Sequence, residues 1–230
     1  MKLVDQAAAK PPAMSERRIL VWDLPVRLFH WLLVMLVVVS FVTGELGGTW
    51  MQIHLWSGYT ILGLLLFRLV WGVIGGHHAR FSSFVRGPNA VLRYARTLWD
   101  RSAPRHLGHN PLGGWSVLAM LLLLLFQVAT GLFANDDIFT QGPLYPWVGK
   151  ATSDFLTEIH EVNQGVLLAL ICVHVAAVLS YLVIKHENLI GPMITGRKSW
   201  RGEGPASTSR LWAAAVAAGL AAAVVWLLVR

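Results

Sequence analysis

The chain of 230 residues is 55% hydrophobic and 13% charged, with a formal net charge of +7. Together with a positive mean hydropathy, this excludes a soluble domain and places the chain among integral membrane proteins. A single cysteine, Cys172, excludes an intrachain disulfide and every motif that needs a cysteine pair.

Residues 1–20 read MKLVDQAAAKPPAMSERRIL, with charges and two prolines but no apolar core of the length a secretory signal needs. They are expected to form a flexible cytoplasmic tail. A hydrocarbon core of about 30 Å takes roughly 20 apolar helical residues to cross. Five stretches qualify, near residues 28–46, 53–74, 115–133, 158–184 and 211–229.

The loops differ in charge. Between the second and third spans Arg80, Arg86, Arg93, Arg96, Arg101 and Arg105 stand against Asp100, and Lys185, Arg197, Lys198, Arg201 and Arg210 follow the fourth. The positive-inside rule puts these segments and the amino terminus in the cytoplasm. The opposite loops carry Glu45, Asp136, Asp137, Asp154 and Glu158 with only Lys150. They are expected to face a periplasm, as is the carboxyl terminus after the fifth span, in a bacterial inner membrane. Topology and contact with anionic membrane lipid account for the positive charge, so nucleic acid is not an expected partner.

Four of the nine histidines lie within spans: His30 in the first, His54 in the second, and His160 and His174 in the fourth. Ionisable groups inside a membrane are costly and mark function. His77, His78, His106, His109 and His186 fall in or beside the basic loops and are expected to be solvated. Trp22, Trp50, Trp56, Trp71, Trp115 and Trp147 are expected to form interfacial belts.

His160 and His174 are fourteen residues apart, close to four helical turns. Their rings share a face to within roughly 40° and stand about 21 Å apart along the axis. Topology puts His54 with His160 in the outer half of the bilayer and His30 with His174 in the inner half. Two imidazoles alone make a poor zinc site, which takes four ligands. Haem iron needs only two axial ligands, and bis-histidine ligation leaves no open position, which suits electron transfer.

Gly44 follows His30 by fourteen residues and Arg68 follows His54 by fourteen. Gly44 is expected to face the outer haem. Arg68 either pairs with an inner haem propionate or snorkels to the headgroups. Gln127, Glu161, Asn163 and Gln164 are polar groups that could serve a quinone site or simply join helices.

The segments DLPVRLFHW, HLWSGYTILGLLLFRLVWG, EIHEVNQGVLLALICVH and HENLIGPMITGRK resemble the diheme cytochrome b subunits of Ni/Fe-hydrogenases and related bacterial b-561-type cytochromes. The resemblance spans roughly residues 20–198. It implies a four-helix transmembrane bundle holding two non-covalent haem b groups, the outer ligated by His54 and His160 and the inner by His30 and His174. On this division residues 21–198 form the diheme domain, and residues 199–230 form a linker and a fifth, alanine-rich transmembrane helix outside the family pattern.

The resemblance further implies electron transfer between a quinone/quinol pool and a redox partner, a periplasmic c-type cytochrome or a hydrogenase subunit. Acidic outer loops would attract a basic cytochrome face and repel superoxide, the substrate of a superoxide oxidase that feeds quinone. A histidine-based metal or proton transporter and a structural anchor subunit are the alternatives of other classes. Oligomeric state is not legible.

Overall fold

The structure, a computed structural model, describes residues 16–98, 100 and 105–230. Residues 1–15 of the expected tail, and Arg101, lie outside the described residues. Five helices are long and apolar enough to cross a membrane, and the protein is an all-α integral membrane protein.

The first spanning helix, α1, covers Leu24–Leu46. Asp23 caps it, accepting a hydrogen bond from the Val26 N–H at 2.9 Å, and Pro25 in the first turn needs no such partner. Helix α1 ends at Gly47, whose φ of 60° is a conformation that glycine adopts without steric cost. Helix α2, Met51–Ile74, returns across the bundle. Three short helices follow at the basic end: a 3₁₀ turn at His77–Ala79, α3 at Phe81–Phe84 and α4 at Pro88–Ala95.

Helix α5, Pro111–Gly131, starts at Asn110, whose side chain accepts from the Gly113 N–H at 2.7 Å. Helix α6 runs unbroken over Lys150–Val183, two turns longer at its start than the apolar stretch predicts. Helix α7, Ile190–Thr195, and the spanning helix α8, Leu211–Val229, complete the chain.

Residues 16–20, expected as the end of a flexible tail, form strand β1, Glu16–Leu20. It pairs antiparallel with β2, Arg197–Arg201, in the register Glu16 to Arg201 through Leu20 to Arg197. Backbone N–H and C=O groups need partners, and each strand supplies those of the other. The pairing ties the entry of α1 to the segment between α7 and α8.

Helix α2 is the axis of the bundle. It packs on α1, α5 and α8, whereas α6 packs on α5 and makes at most marginal backbone approach to α1 or α2. The burial of their most apolar windows follows this arrangement, 44% for α2 and 6% for α6. Ile61, Leu62 and Leu65 of α2 meet Leu121, Leu124 and Val128 of α5 and a stripe of Ala213, Ala214, Ala217 and Ala221 on α8. Alanines spaced by a turn let α8 lie close against its neighbour, the usual basis of helix packing in lipid.

At the basic end a polar knot joins α1 to α2. Asp23, 1% exposed, accepts from the Trp71 indole N–H at 3.2 Å and the Gly76 N–H at 3.3 Å as well as from Val26. Trp71 is therefore fully buried and belongs to the core, not to an interfacial belt.

Candidate functional site

Helices α2, α5 and α6 place the outer histidines. The His54 and His160 rings lie 6.1 Å apart between centroids and 77° apart in plane. The His54 Nδ1–H donates to the Ser40 carbonyl at 2.8 Å, with the Ser40 hydroxyl at 3.3 Å. The His160 Nδ1–H donates to the Gln127 carbonyl at 2.9 Å, with the Thr130 hydroxyl at 3.1 Å. Donation through Nδ1 fixes the tautomer and leaves the Nε2 lone pair of each ring available to a metal, the arrangement that orients ligating histidines.

Two metal bonds of about 2 Å, with each ring centre about 1 Å behind its nitrogen, would separate the centroids by roughly 6 Å. The observed spacing fits one metal between the rings. Among the described residues no three His, Cys, Asp or Glu side chains converge on a point, so the donor set suits a metal whose other ligands come from a macrocycle.

Both outer rings lie against glycines. A Cβ on Gly44 would stand 3.0 Å from the His54 Nδ1, and one on Gly131 would stand 2.8 Å from the His160 Cε1. Gly44 thus makes room for the imidazole itself. Gly131 plays the same part on α5, a helix without histidine, so no ligand spacing in the sequence points to it.

The inner histidines sit differently. His30 has a buried Nδ1 with no hydrogen-bond partner, its ring lies 4.9 Å from that of Trp31, and it is within electrostatic reach of His174. Arg68 is 3% exposed, so it does not snorkel to the surface. Its Nη2 donates to the Ala79 carbonyl at 3.0 Å, its guanidinium lies 4.8 Å from the Phe81 ring centre, and its Nη1 is buried without a partner. Arg68 is also within electrostatic reach of the buried Asp23 and of His109, which His174 reaches as well, and a buried cation with one free Nη fits a site that receives an anionic group such as a propionate.

Two histidines expected to be solvated are packed. His78 is buried, its Nε2 2.8 Å from the Pro205 carbonyl, and burial pushes its imidazole below the ordinary range. His109 lies 4.7 Å from Trp22 and 4.6 Å from Phe84 between ring centres, and its Nδ1 is buried without a partner. Burial, then the charges of Arg68, His78 and His174, push it down to about 3, so it is neutral at physiological pH.

The polar side chains of the spans are largely engaged between helices. Asn163 donates to the Gln127 Oε1 at 2.6 Å and to the Leu123 carbonyl at 3.1 Å. Gln127 donates to the His160 carbonyl at 2.9 Å, and Gln164 donates to Glu45 at 2.7 Å. At the basic end the Tyr94 and Tyr181 hydroxyls meet at 2.5 Å, and the Asn110 amide donates to Tyr181 at 2.9 Å. Tyr181 follows His174 by seven residues, which puts both on one face of α6. That spacing is a signal the sequence contained.

At the acidic end the loop after α5 is ordered by its own carboxylate. The Asp136 Oδ1 accepts from the N–H groups of Ile138, Phe139 and Thr140 at 3.0, 2.9 and 2.7 Å. Lys150 bridges Asp137 and Asp154 at 2.5 and 2.9 Å, so this surface is less negative than its acid count suggests.

The model of the family described as prokaryotic cytochrome b561 matches residues 21–196. Similar proteins include the probable Ni/Fe-hydrogenase B-type cytochrome subunit of Bradyrhizobium diazoefficiens, 24% identical over 86% of this chain and 94% of that protein. That of Azotobacter vinelandii is 23% identical over 89% and 98%. The probable Ni/Fe-hydrogenase 1 B-type cytochrome subunit of Escherichia coli strain K12 is 23% identical over 78% and 90%. No solved structure matches the chain.

Proposed function

The chain belongs to the prokaryotic cytochrome b561 family, and on that premise we propose that it carries electrons across a bacterial membrane through two haem b groups, each held by two histidines. His54 and His160 would hold the outer group and His30 and His174 the inner one. Residues 21–198 form the diheme domain, and residues 199–230 add a linker and a fifth helix.

The observation that carries this reading is the outer pair: two rings 6.1 Å apart, each with its Nδ1–H donated to a backbone carbonyl. Haem supplies reversible one-electron exchange at its iron when bound. The chain's own part is orientation and shielding. The Ser40 and Gln127 carbonyls hold the rings and raise their basicity, Gly44 and Gly131 give the rings room, and Arg68 offers a buried positive charge at the inner level. Helix α6 sets the distance between the levels, since fourteen residues rise about 21 Å.

Quinone is the proposed exchangeable partner within the membrane. Outside it, the names of the similar proteins favour a Ni/Fe-hydrogenase subunit over a c-type cytochrome. The amino terminus lies in the cytoplasm and the carboxyl terminus in the periplasm, as the arginine-rich loops support.

The purified protein, expressed with ample haem, should show a Soret band and a reduced b-type α-band. Pyridine haemochrome quantitation should give two haems per chain. A chain without a Soret band would overturn the cytochrome reading, and one haem per chain would overturn the two-site reading. Quinol reduction of the haems, followed by transfer to a hydrogenase or to cytochrome c, identifies the partner.

A further inference from the structure

At the basic end of the bundle a cavity of about 320 Å³ opens where α2 finishes and α8 begins. Its polar lining includes His77, Arg80, Thr208 and Arg210, and among the described residues no carboxylate contributes to it. Neither arginine is ion-paired among the described residues. The Arg80 guanidinium, which can only donate, lies 3.5 Å from the His77 Nδ1. Nδ1 is the accepting atom of that contact, which leaves the Nε2–H of the ring as a further donor. Two guanidinium groups, an imidazole N–H and a hydroxyl make a donor-rich concave surface with a net positive charge.

The walls are tied in place. The Ser207 N–H donates to the Leu20 carbonyl at 2.8 Å and its hydroxyl to the Val21 carbonyl at 2.7 Å. His78 lies 2.8 Å from the Pro205 carbonyl, which fastens the linker to the turn holding His77 and Arg80. The linker half of the cavity lies beyond residues 21–196, the segment matched to the family. Junctions between the ends of spanning helices and basic loops sit at the depth of lipid headgroups.

We propose that this cavity is a phosphate-binding site, built jointly by the end of α2 and the linker to α8, and that it takes the phosphate of an anionic phospholipid or free phosphate. Arginine is suited to phosphate because its planar fork offers paired donors. The site is independent of the electron-transfer reading. It assigns the appended segment a role: the linker to α8 brings Thr208 and Arg210 to a half-site that His77 and Arg80, in the turn after α2, leave open.

The test uses the full-length, haem-loaded protein in neutral detergent. Native mass spectrometry measures retention of phosphatidylglycerol against phosphatidylcholine, and a second arm titrates inorganic phosphate. The wild type should retain phosphatidylglycerol selectively, and Arg80→Gln/Arg210→Gln should lose that retention by about tenfold or more. Arg93→Gln/Arg96→Gln removes the same charge from the basic end outside the cavity and should keep it. Thr208→Glu, which puts a carboxylate among the donors, is a second variant expected to abolish binding. An unchanged Soret band serves as the folding control in each.

Binding of inorganic phosphate without lipid retention, lost in the same variants, would support the site and identify free phosphate as its source. Failure of both probes, equal binding by Arg80→Gln/Arg210→Gln and wild type, or an equal loss in Arg93→Gln/Arg96→Gln would overturn the proposal.

Discussion

The two histidine levels are built on different principles. At the outer level each imidazole hands its Nδ1–H to a backbone carbonyl and lies against a glycine, so ring orientation is fixed by main chain that no side-chain substitution removes. At the inner level His30 has no hydrogen-bond partner on its buried Nδ1 and is within electrostatic reach of His174, which in turn acts on the buried imidazole His109 together with the buried cation Arg68. The outer site is preorganised by geometry and the inner one is conditioned by electrostatics. The outer pair should therefore respond most to steric change and the inner pair most to changes of charge.

The largest effects are expected at the four histidines within the spans. His160→Ala should remove about half of the haem measured as pyridine haemochrome and spare the inner group, and His174→Ala should do the reverse. Equal loss of both haems in either variant would break the distinction between two levels. Next is Gly131→Val. Since even a Cβ there would approach the His160 ring to 2.8 Å, the larger side chain should displace the ring and deplete the outer haem without touching the inner. The absorbance spectrum at fixed protein concentration checks it.

A smaller change is expected from Arg68→Met, which keeps bulk and deletes charge. Loss of a positive charge near an electron carrier disfavours its reduced form, so a redox titration should show the inner haem's midpoint falling while the outer one moves little. If both midpoints fall alike, Arg68 belongs to neither level in particular.

The smallest effect concerns acid. Partial burial pushes the Asp136 carboxyl up, but the N–H groups of Thr140, Ile138 and Phe139 outweigh it and hold it at about 2. A carboxyl bound less tightly to its proton when folded contributes stability above its unfolded value of 3.8, and the contribution is lost as pH falls toward about 2. Asp23 has the opposite sign, because burial raises it, so falling pH favours its folded form. Acidification should therefore release the amides of residues 138–140 to hydrogen exchange before those around Asp23. Simultaneous release would show that the two ends do not differ in this way.

The five spans were legible because hydropathy sums along the chain, and the face shared by His160 and His174 was legible because a helix has one period. Their ends were less so. Helix α6 begins at Lys150, in a polar turn that hydropathy does not score. What escaped depends on contacts between distant segments. Trp71 reads as a belt residue until Asp23, forty-eight positions earlier, is seen to accept its N–H. His78 and His109 read as loop histidines until the linker and Trp22 cover them. Strand β1 has no meaning without β2, and Gly131 is explained only by the ring of another helix.

The antiparallel pairing of β1 with β2 has a consequence in time. Its second strand is made 177 residues after its first ends, as Leu20 and Arg197 are partners in register. His30 and His174 are likewise separated by 144 residues of synthesis. At about 5–20 residues per second, His30 is made roughly 7–30 s before His174 exists. The clasp that joins the entry of α1 to the segment after α7 forms later still. On the proposed assignment the inner site is completed late, and a chain arrested before residue 197 would leave the ribosome with its entry helix untethered.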